Sequence, residues 1–239
     1  MIRFRTQGGL VRTIPTAVTA ALACLVMGVA VTGCADGSAA EPLSANQMLD
    51  DANATMRALR SVTIDTVTKV TGGDDRSSRL TTDLKAKCAF KSTSATGASL
   101  EQIRIDGTDY VRPNRTYLEE SGRHMVGADK QDRWVKTPAS KSQPGDGLSQ
   151  CTYEFASFGQ VDKGEPTKVN GAPAIPLKVT DEKDGSFTFY VATEGKPYIL
   201  KVVYKGDEFD TATSFSAFDE PLDVQSPDKA KVLDMSGIG

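Results

Sequence analysis

Three short signals punctuate this chain: Asp106-Gly107, Asn170-Gly171 and Asp184-Gly185. A two-residue type I′ hairpin turn needs positive φ at both central residues, and Asp, Asn and Gly reach that region at the least cost. Each dipeptide lies among alternating apolar residues. Ile103 and Ile105 lead into the first, and Tyr110 and Val111 leave it. Ile175, Leu177 and Val179 follow the second, and Phe187, Phe189 and Val191 follow the third. Glu194-Gly195-Lys196-Pro197 is a further turn, and Tyr198–Tyr204 and Glu208–Ser216 read as two more strands around Lys205-Gly206-Asp207. Turns recurring at roughly 8–15 residues demand an up-and-down antiparallel sheet. One register stays open. A strict two-residue turn at Asp184-Gly185 sets Val179 and Phe189 on opposite faces, whereas a loop of about three or five residues puts them on the same one.

Ahead of the strands, Leu43–Arg60 predicts a helix. Ser44 can cap it, and Gln47 completes a capping-box pattern. Met48, Leu49, Ala52, Met56 and Leu59 form one apolar face, opposite Asp50, Asp51, Asn53 and Arg57. The two methionines fit an adaptable lipid pocket as well as plain core. Ser61–Val70 is a strand with Val62, Ile64 and Val70 on one face and Thr66 and Thr68 between them. Arg79–Cys88 is a second, with Leu80, Thr82, Leu84, Ala86 and Cys88 on one face, joined to the first through Gly72-Gly73-Asp74. Two further helices are expected. Asn114–Met125 is capped by Asn114, with Tyr117 and Leu118 inward; Asp146–Phe158 carries Leu148, Cys151, Phe155 and Phe158 on one face. Pro138–Gly147 reads as a polar loop.

The N-terminus is a targeting signal. Residues 1–13 are polar and basic, Ile14–Val31 is apolar, and polarity returns at Ala35-Asp36-Gly37-Ser38. The junction Val31-Thr32-Gly33-Cys34 resembles a lipobox, which implies cleavage before Cys34 and a diacylglycerol on its thiol. The alternative, an uncleaved membrane helix, has about 18 apolar residues, at the lower end of what spans a bilayer. Ala35–Pro42 is small and polar and suits a flexible tether. Of four cysteines, Cys24 then leaves with the signal and Cys34 is acylated. Cys88 and Cys151 remain, and an exported pair usually bonds. Closing that 63-residue loop is worth about 4 kcal/mol in the chain-entropy model. Two separate free thiols are the other possibility.

Charge and motifs exclude several functions. The chain carries 28 Lys+Arg against 31 Asp+Glu, a net −3. Residues 1–33 hold three arginines and no acid, so the remainder carries −6, which speaks against broad nucleic-acid binding. A single histidine, His124, makes a His-rich metal site or a His-based triad improbable, and it reads as a surface residue. There is no phosphate-binding glycine loop, CxxC, HExxH or EF-hand pattern. Asp74-Asp75, Glu119-Glu120 and Asp181-Glu182-Lys183-Asp184 read as solvated turns rather than a metal site. Trp134 reads as core, with a lipid contact as the alternative. No nucleophile, base and orienter assemble, so no catalytic residue, metal or cofactor is assigned and the chain is not expected to be an enzyme.

A lipobox, a helix and a long antiparallel sheet resemble the LolA-like bacterial lipoproteins, in particular the LprG/LppX-type actinobacterial branch. The carriers are Met56-Arg57-Ala58-Leu59-Arg60-Ser61-Val62, Gly107-Thr108-Asp109-Tyr110-Val111 and Asp132-Arg133-Trp134-Val135-Lys136. Downstream come Val169-Asn170-Gly171, Tyr190–Tyr198 and Phe218-Asp219-Glu220-Pro221-Leu222-Asp223-Val224. The resemblance implies an α+β, mostly antiparallel fold: a curved half-barrel sheet covered on one side by the N-terminal helix and short helices. Expected boundaries are 1–33 signal peptide, 34–43 lipidated tether, 44–235 half-barrel domain and 236–239 tail. The implied function is an envelope lipoprotein, anchored on the extracytoplasmic face of the cell membrane, that binds or carries a hydrophobic acyl-chain lipid or glycolipid. Met48, Ala52, Met56 and Leu59 are candidates for the helix side of its cavity, and Leu84, Ile103 and Ile105 for the sheet side. The alternative is a non-enzymatic interaction or sensor module with a filled core and an envelope protein partner. Expected partners are therefore the membrane through the anchor, a lipid or glycolipid, and an envelope protein, with no nucleic acid.

A diacylglyceryl group supplies two chains, enough for stable retention where one is marginal. Cys34→Ala should therefore block signal cleavage or release a soluble form, read by fractionation and intact mass. Unchanged processing and membrane retention would refute anchoring through Cys34.

Overall fold

A computed structural model describes residues 43–122, 133–141, 147–157, 159–181 and 185–234. Cys34, the tether, His124, Met125 and Phe158 lie outside the described residues. Helix α1 runs Ala45–Arg57. Ser44 Oγ accepts the Gln47 N–H and Gln47 Oε1 accepts the Ser44 N–H, the reciprocal cap expected from the sequence. Leu49, Ala52 and Met56 are buried along its inward stripe.

Strands β1 (Val62–Val70), β2 (Arg76–Thr82), β3 (Cys88–Ser94), β4 (Ser99–Ile105) and β5 (Thr108–Pro113) follow, then helix α2 (Arg115–Glu120) and β6 (Trp134–Pro138). After a 3₁₀ turn at Gly147–Thr152 come β7 (Val161–Lys163), β8 (Thr167–Val169), β9 (Ala172–Asp181), β10 (Gly185–Ala192), β11 (Ile199–Lys205), β12 (Phe209–Ser216) and β13 (Val232–Asp234). They form one curved, open sheet in the order β13-β6-β5-β4-β3-β2-β1-β12-β11-β10-β9-β7, with β8 also on β9. Two meanders, β1 to β6 and β9 to β12, thus meet where β1 pairs with β12. The parallel β13–β6 pair breaks the antiparallel pattern. Asp106-Gly107 and Asn170-Gly171 are the expected tight turns, each with positive φ at both residues.

The turn at Asp184-Gly185 is not. Gly185 already pairs with Asp181, leaving three residues in the connection, and this odd count places Phe189 opposite Leu177 and Phe187 opposite Val179 on one face.

Two further expectations are corrected. The strand 79–88 is broken by a turn at 83–87. Asp83 Oδ1 accepts the backbone N–H groups of Lys85, Ala86 and Lys87, each at 2.9 Å, and Leu84 takes φ +60°. Cys88 therefore starts the next strand, while Leu84 and Ala86 sit in the turn. The helix 146–158 is instead the short 3₁₀ turn followed by extended chain at 153–157. Its carbonyls are taken by the sheet rather than by a helical ladder. Thr82 Oγ1 donates to Cys151 O at 2.5 Å, and Arg104 Nη1 donates to Leu148 O at 3.2 Å. Leu148, Cys151 and Phe155 are still all buried, as their spacing implied.

Cys88 and Cys151 are joined by a disulfide with a Cα–Cα distance of 5.6 Å. Beside it lies the ion pair of Arg104 with Asp109, bidentate at 2.7 and 2.8 Å, with the Asp109 side chain only 3% exposed. Gly147 is required here, because a Cβ would fall 2.3 Å from the Phe90 ring.

Burial alone would raise the Asp83 carboxyl, but its three backbone N–H donors and the nearby Lys85 charge hold it below its ordinary value. A carboxylate depressed in the folded state stabilises above its unfolded pKa, and loses that contribution as pH falls through the folded pKa. Asp83→Ala should cost about 1 kcal/mol at neutral pH, as loss of a cap does, and the gap from wild type should close in acid. Urea unfolding at several pH values checks both.

Candidate functional site

Cross-strand partners share a face, so the register maps the concave side of the sheet directly. One row runs Phe215–Ile64–Leu80–Phe90 across β12, β1, β2 and β3. This row is apolar, and α1 and the 153–157 segment complete the core over this end of the sheet. Two residues along every strand, the next row is Thr213–Thr66–Ser78–Ser92. The row after it is Thr211–Thr68–Arg76–Ser94. The face therefore changes from apolar to hydroxyl within one step of the pleat.

The two ends behave differently. Beneath α1 the described residues are well buried: Ala52 and Met56 are 0% exposed, and the cavity beside Asn53, Tyr153, Phe155 and Phe215 holds about 130 Å³. Over the hydroxyl rows lies an open groove of about 590 Å³. Its floor is Thr66, Thr68, Arg76, Ser78, Ser92 and Ser94; Phe90, Leu100, Tyr117, Glu120 and Gln150 are among its other lining residues. Thr66 and Thr213 hydroxyls sit 3.3 Å apart.

The outer hydroxyl row extends into aromatics. Thr211 is opposite Tyr204, and Tyr204 is opposite Phe187. The Tyr204 ring lies 4.8 Å from Phe187 and 5.2 Å from Phe209 between centroids. A Cβ on Gly206 would meet the Tyr204 ring at 2.8 Å, so that glycine lets the ring lie flat. One row thus passes from aromatic through hydroxyl to guanidinium: Phe187, Tyr204, Thr211, Thr68, Arg76, Ser94. Five strand spacings make it about 24 Å long.

The convex face is charged. Asp65 pairs with Arg79 at 3.0 Å, and Lys91 with Glu101 at 3.0 Å, while Arg112 joins Glu101 and stacks 4.7 Å above the Trp134 ring. Burial would raise Glu101, yet Arg112 and Lys91 bring it below its ordinary value. Trp134 is buried as expected, but on this face rather than in the main core. Among the described residues no group of three or more His, Cys, Asp and Glu gathers to hold a metal, and no helix is long and apolar enough to cross a membrane.

No protein-family model and no curated protein matches the sequence. Solved structures do match the fold. LprF from Mycobacterium bovis is 13% identical with a TM-score of 0.51, covering 77% of this chain and 96% of LprF. The chain has the LprF fold. The Mycobacterium tuberculosis lipoprotein LppX is 12% identical with a TM-score of 0.49, over 76% of this chain and 100% of LppX. A chain of the Pseudomonas aeruginosa MucA/MucB complex is 18% identical at 0.40, over 77% and 61%. At these identities the likeness is one of fold, and the LprF match carries it. The half-barrel architecture implied by the LolA-like, LprG/LppX-type resemblance is thereby borne out.

Within this LprF-type fold, the candidate residues separate. Ala52 and Met56 are buried on α1, Leu59 is buried just beyond its C-terminal end, and Met48 is half-buried beside them. Leu84 packs against the same core, from the turn rather than from a strand. Ile103 and Ile105 do not join them. The buried residue of β4 is Gln102, which pairs with Phe90 and Val111, so Ile103 and Ile105, one and three residues further along, project from the convex face. Reading the apolar residue as the inward one fails on β4 because that strand's inner face carries Gln102 and Arg104, the partner of Asp109. The groove-lining Thr66, Thr68, Ser78 and Ser92 were missed. Their signal was present as hydroxyls two residues apart on successive strands.

Met56 is 0% exposed and lines neither the 130 Å³ cavity nor the 590 Å³ groove. Met56→Trp should overpack and destabilise by about 1–3 kcal/mol. A neutral or stabilising result in denaturant unfolding would mean a larger cavity under α1.

Proposed function

We propose that this chain is a lipid-anchored, non-enzymatic binding protein on the extracytoplasmic face of the bacterial membrane, holding an acyl-chain lipid or glycolipid. Cys34 carries the anchor. The ligand lies on the open half of the concave face and not beneath α1. The observation that carries this reading is the groove of about 590 Å³ over the hydroxyl rows, whose outer row continues beyond the groove across β12 and β11 to the rings of Tyr204 and Phe187. Alkyl carbons gain about 0.8 kcal/mol each when removed from water, and Phe187, Tyr204 and Phe209 offer the surface for that transfer. Sugar or glycerol hydroxyls find Thr and Ser partners on the floor. The volume lies within the range of small-molecule sites, roughly 300–1,000 Å³. The LprF-type fold and the lipobox support the same conclusion, since an anchored, exported scaffold with one concave face is suited to shielding a lipid from water.

The buried core under α1 favours the second reading, an interaction or sensor module, for that end of the molecule. The two readings part at Ser78, in the middle of the floor. Ser78→Trp should leave the unfolding midpoint nearly unchanged, because the groove is open, and should abolish co-purification of lipid with the exported Cys34→Ala form. Mass spectrometry of solvent extracts reads the outcome. A wild-type chain that carries no extractable lipid and takes up no fluorescent fatty acid would leave the interaction module as the function.

A further inference from the structure

We infer that Arg76 is the recognition point for an anionic oxygen group, a phosphate or carboxylate, on the ligand's polar head. This rests on the binding role proposed above and adds the chemical class of the head.

Most arginines described here are occupied. Arg79, Arg104, Arg112 and Arg115 each hold a carboxylate; Arg60 holds Asp219; Arg57 donates to the Phe155 carbonyl. Each has a structural task. Arg76 holds no carboxylate and no carbonyl among the described residues, although it lines the groove. Its position is set by register. It lies directly between Thr68 on β1 and Ser94 on β3, on the concave side, with Ser78 two residues along the same strand. The guanidinium and the neighbouring Thr68 hydroxyl present donors that a tetrahedral phosphate or planar carboxylate accepts: a fork of N–H groups for two oxygens and an O–H for a remaining lone pair. The Ser94 hydroxyl on the other side is held by Thr96 Oγ1 and the Ala98 N–H and belongs to the turn after β3.

Glu120 on α2 lines the same groove with the opposite charge, so the groove as a whole is not an anion trap. Selection is local to Thr68 and Arg76 in the outer row. The same row continues to Tyr204 and Phe187, three and four strand spacings from Arg76, or about 14 and 19 Å. A molecule whose anionic end sits at Arg76 therefore places an attached chain on the aromatic rings. The shared chemistry with a free anion is the head alone; the chain distinguishes the two sources.

The test uses the mature chain carrying Cys34→Ala, so that no detergent competes, and calorimetric titration with three probes below their micelle thresholds: decyl phosphate, decyl glucoside and inorganic phosphate. Decyl phosphate should bind wild type and lose at least tenfold in affinity with Arg76→Gln, with Arg76→Lys recovering part of the loss. Decyl glucoside should bind both forms within about twofold, and inorganic phosphate should bind far more weakly than decyl phosphate. Equal affinity for inorganic and decyl phosphate would overturn the assignment to an amphiphile. Unchanged decyl phosphate binding in Arg76→Gln, with decyl glucoside still bound, would overturn the role of Arg76 and leave the binding function standing. If neither decyl compound binds wild type, the binding function itself fails. Circular dichroism of each variant confirms the fold.

Discussion

The concave face owes its layout to one clamp. The Cys88–Cys151 disulfide, the Thr82 hydroxyl on the Cys151 carbonyl and the Arg104–Asp109 pair reaching the Leu148 carbonyl all pin the 147–152 turn to β2, β3 and β4. A disulfide restricts the unfolded chain most when the loop it closes is long, and here it spans 63 residues. A buried carboxylate–guanidinium pair tolerates no loss of one partner, because the survivor would be a buried unpaired charge. Fixing this turn brings Leu148 and Cys151 into the core, and Phe155 follows beyond it. It also sets one boundary of the groove, where Gly147 and Gln150 line it.

The sheet is too wide for one small helix to cover, and the residues divide the labour accordingly. Where α1 and the 153–157 segment pack, the inner rows are Ile, Leu and Phe. Where nothing in the described chain packs, the same strands turn to Thr and Ser. Hydroxyls keep β propensity while remaining hydrated, so β1 to β3 stay open over the groove, while the exposed apolar surface of this face is gathered at the far edge around Val70, Phe209 and Tyr204. The convex side meets the same demand with cross-strand ion pairs rather than hydroxyls. Exposed pairs of this kind add little stability, but they define which side of each strand faces water.

Much of this was legible in the chain. The capping box of α1, the two Xaa-Gly hairpins, the turn-to-turn spacing and the pairing of Cys88 with Cys151 all emerged from local rules. The failures share a cause. Ile103, Ile105, the strand position of Leu84 and the 146–158 helix were placed by counting apolar residues along one segment. On β4 the inward positions are polar because Gln102 and Arg104 belong to a network reaching β5 and the 147–152 turn. In 146–158 helical spacing survived in the burial of Leu148, Cys151 and Phe155, while the helix itself did not, since side chains from other strands satisfied its carbonyls. Nothing within either segment announces such partners.

The sequence by itself determined most of the strand-forming segments and the first helix, and it carries no recognisable catalytic motif. These depend on backbone preferences and periodicity, which act over a few residues. Only the tertiary structure decided which face of each strand is inward, that Ala52 and Met56 on α1 are buried, and that the open site is a hydroxyl-lined groove with Arg76 in its floor. Those features arise from the β1–β12 junction and the register across six strands, where residues from Thr68 to Thr211 become neighbours. Their adjacency is a property of pairing between segments more than a hundred residues apart, and no local preference encodes it.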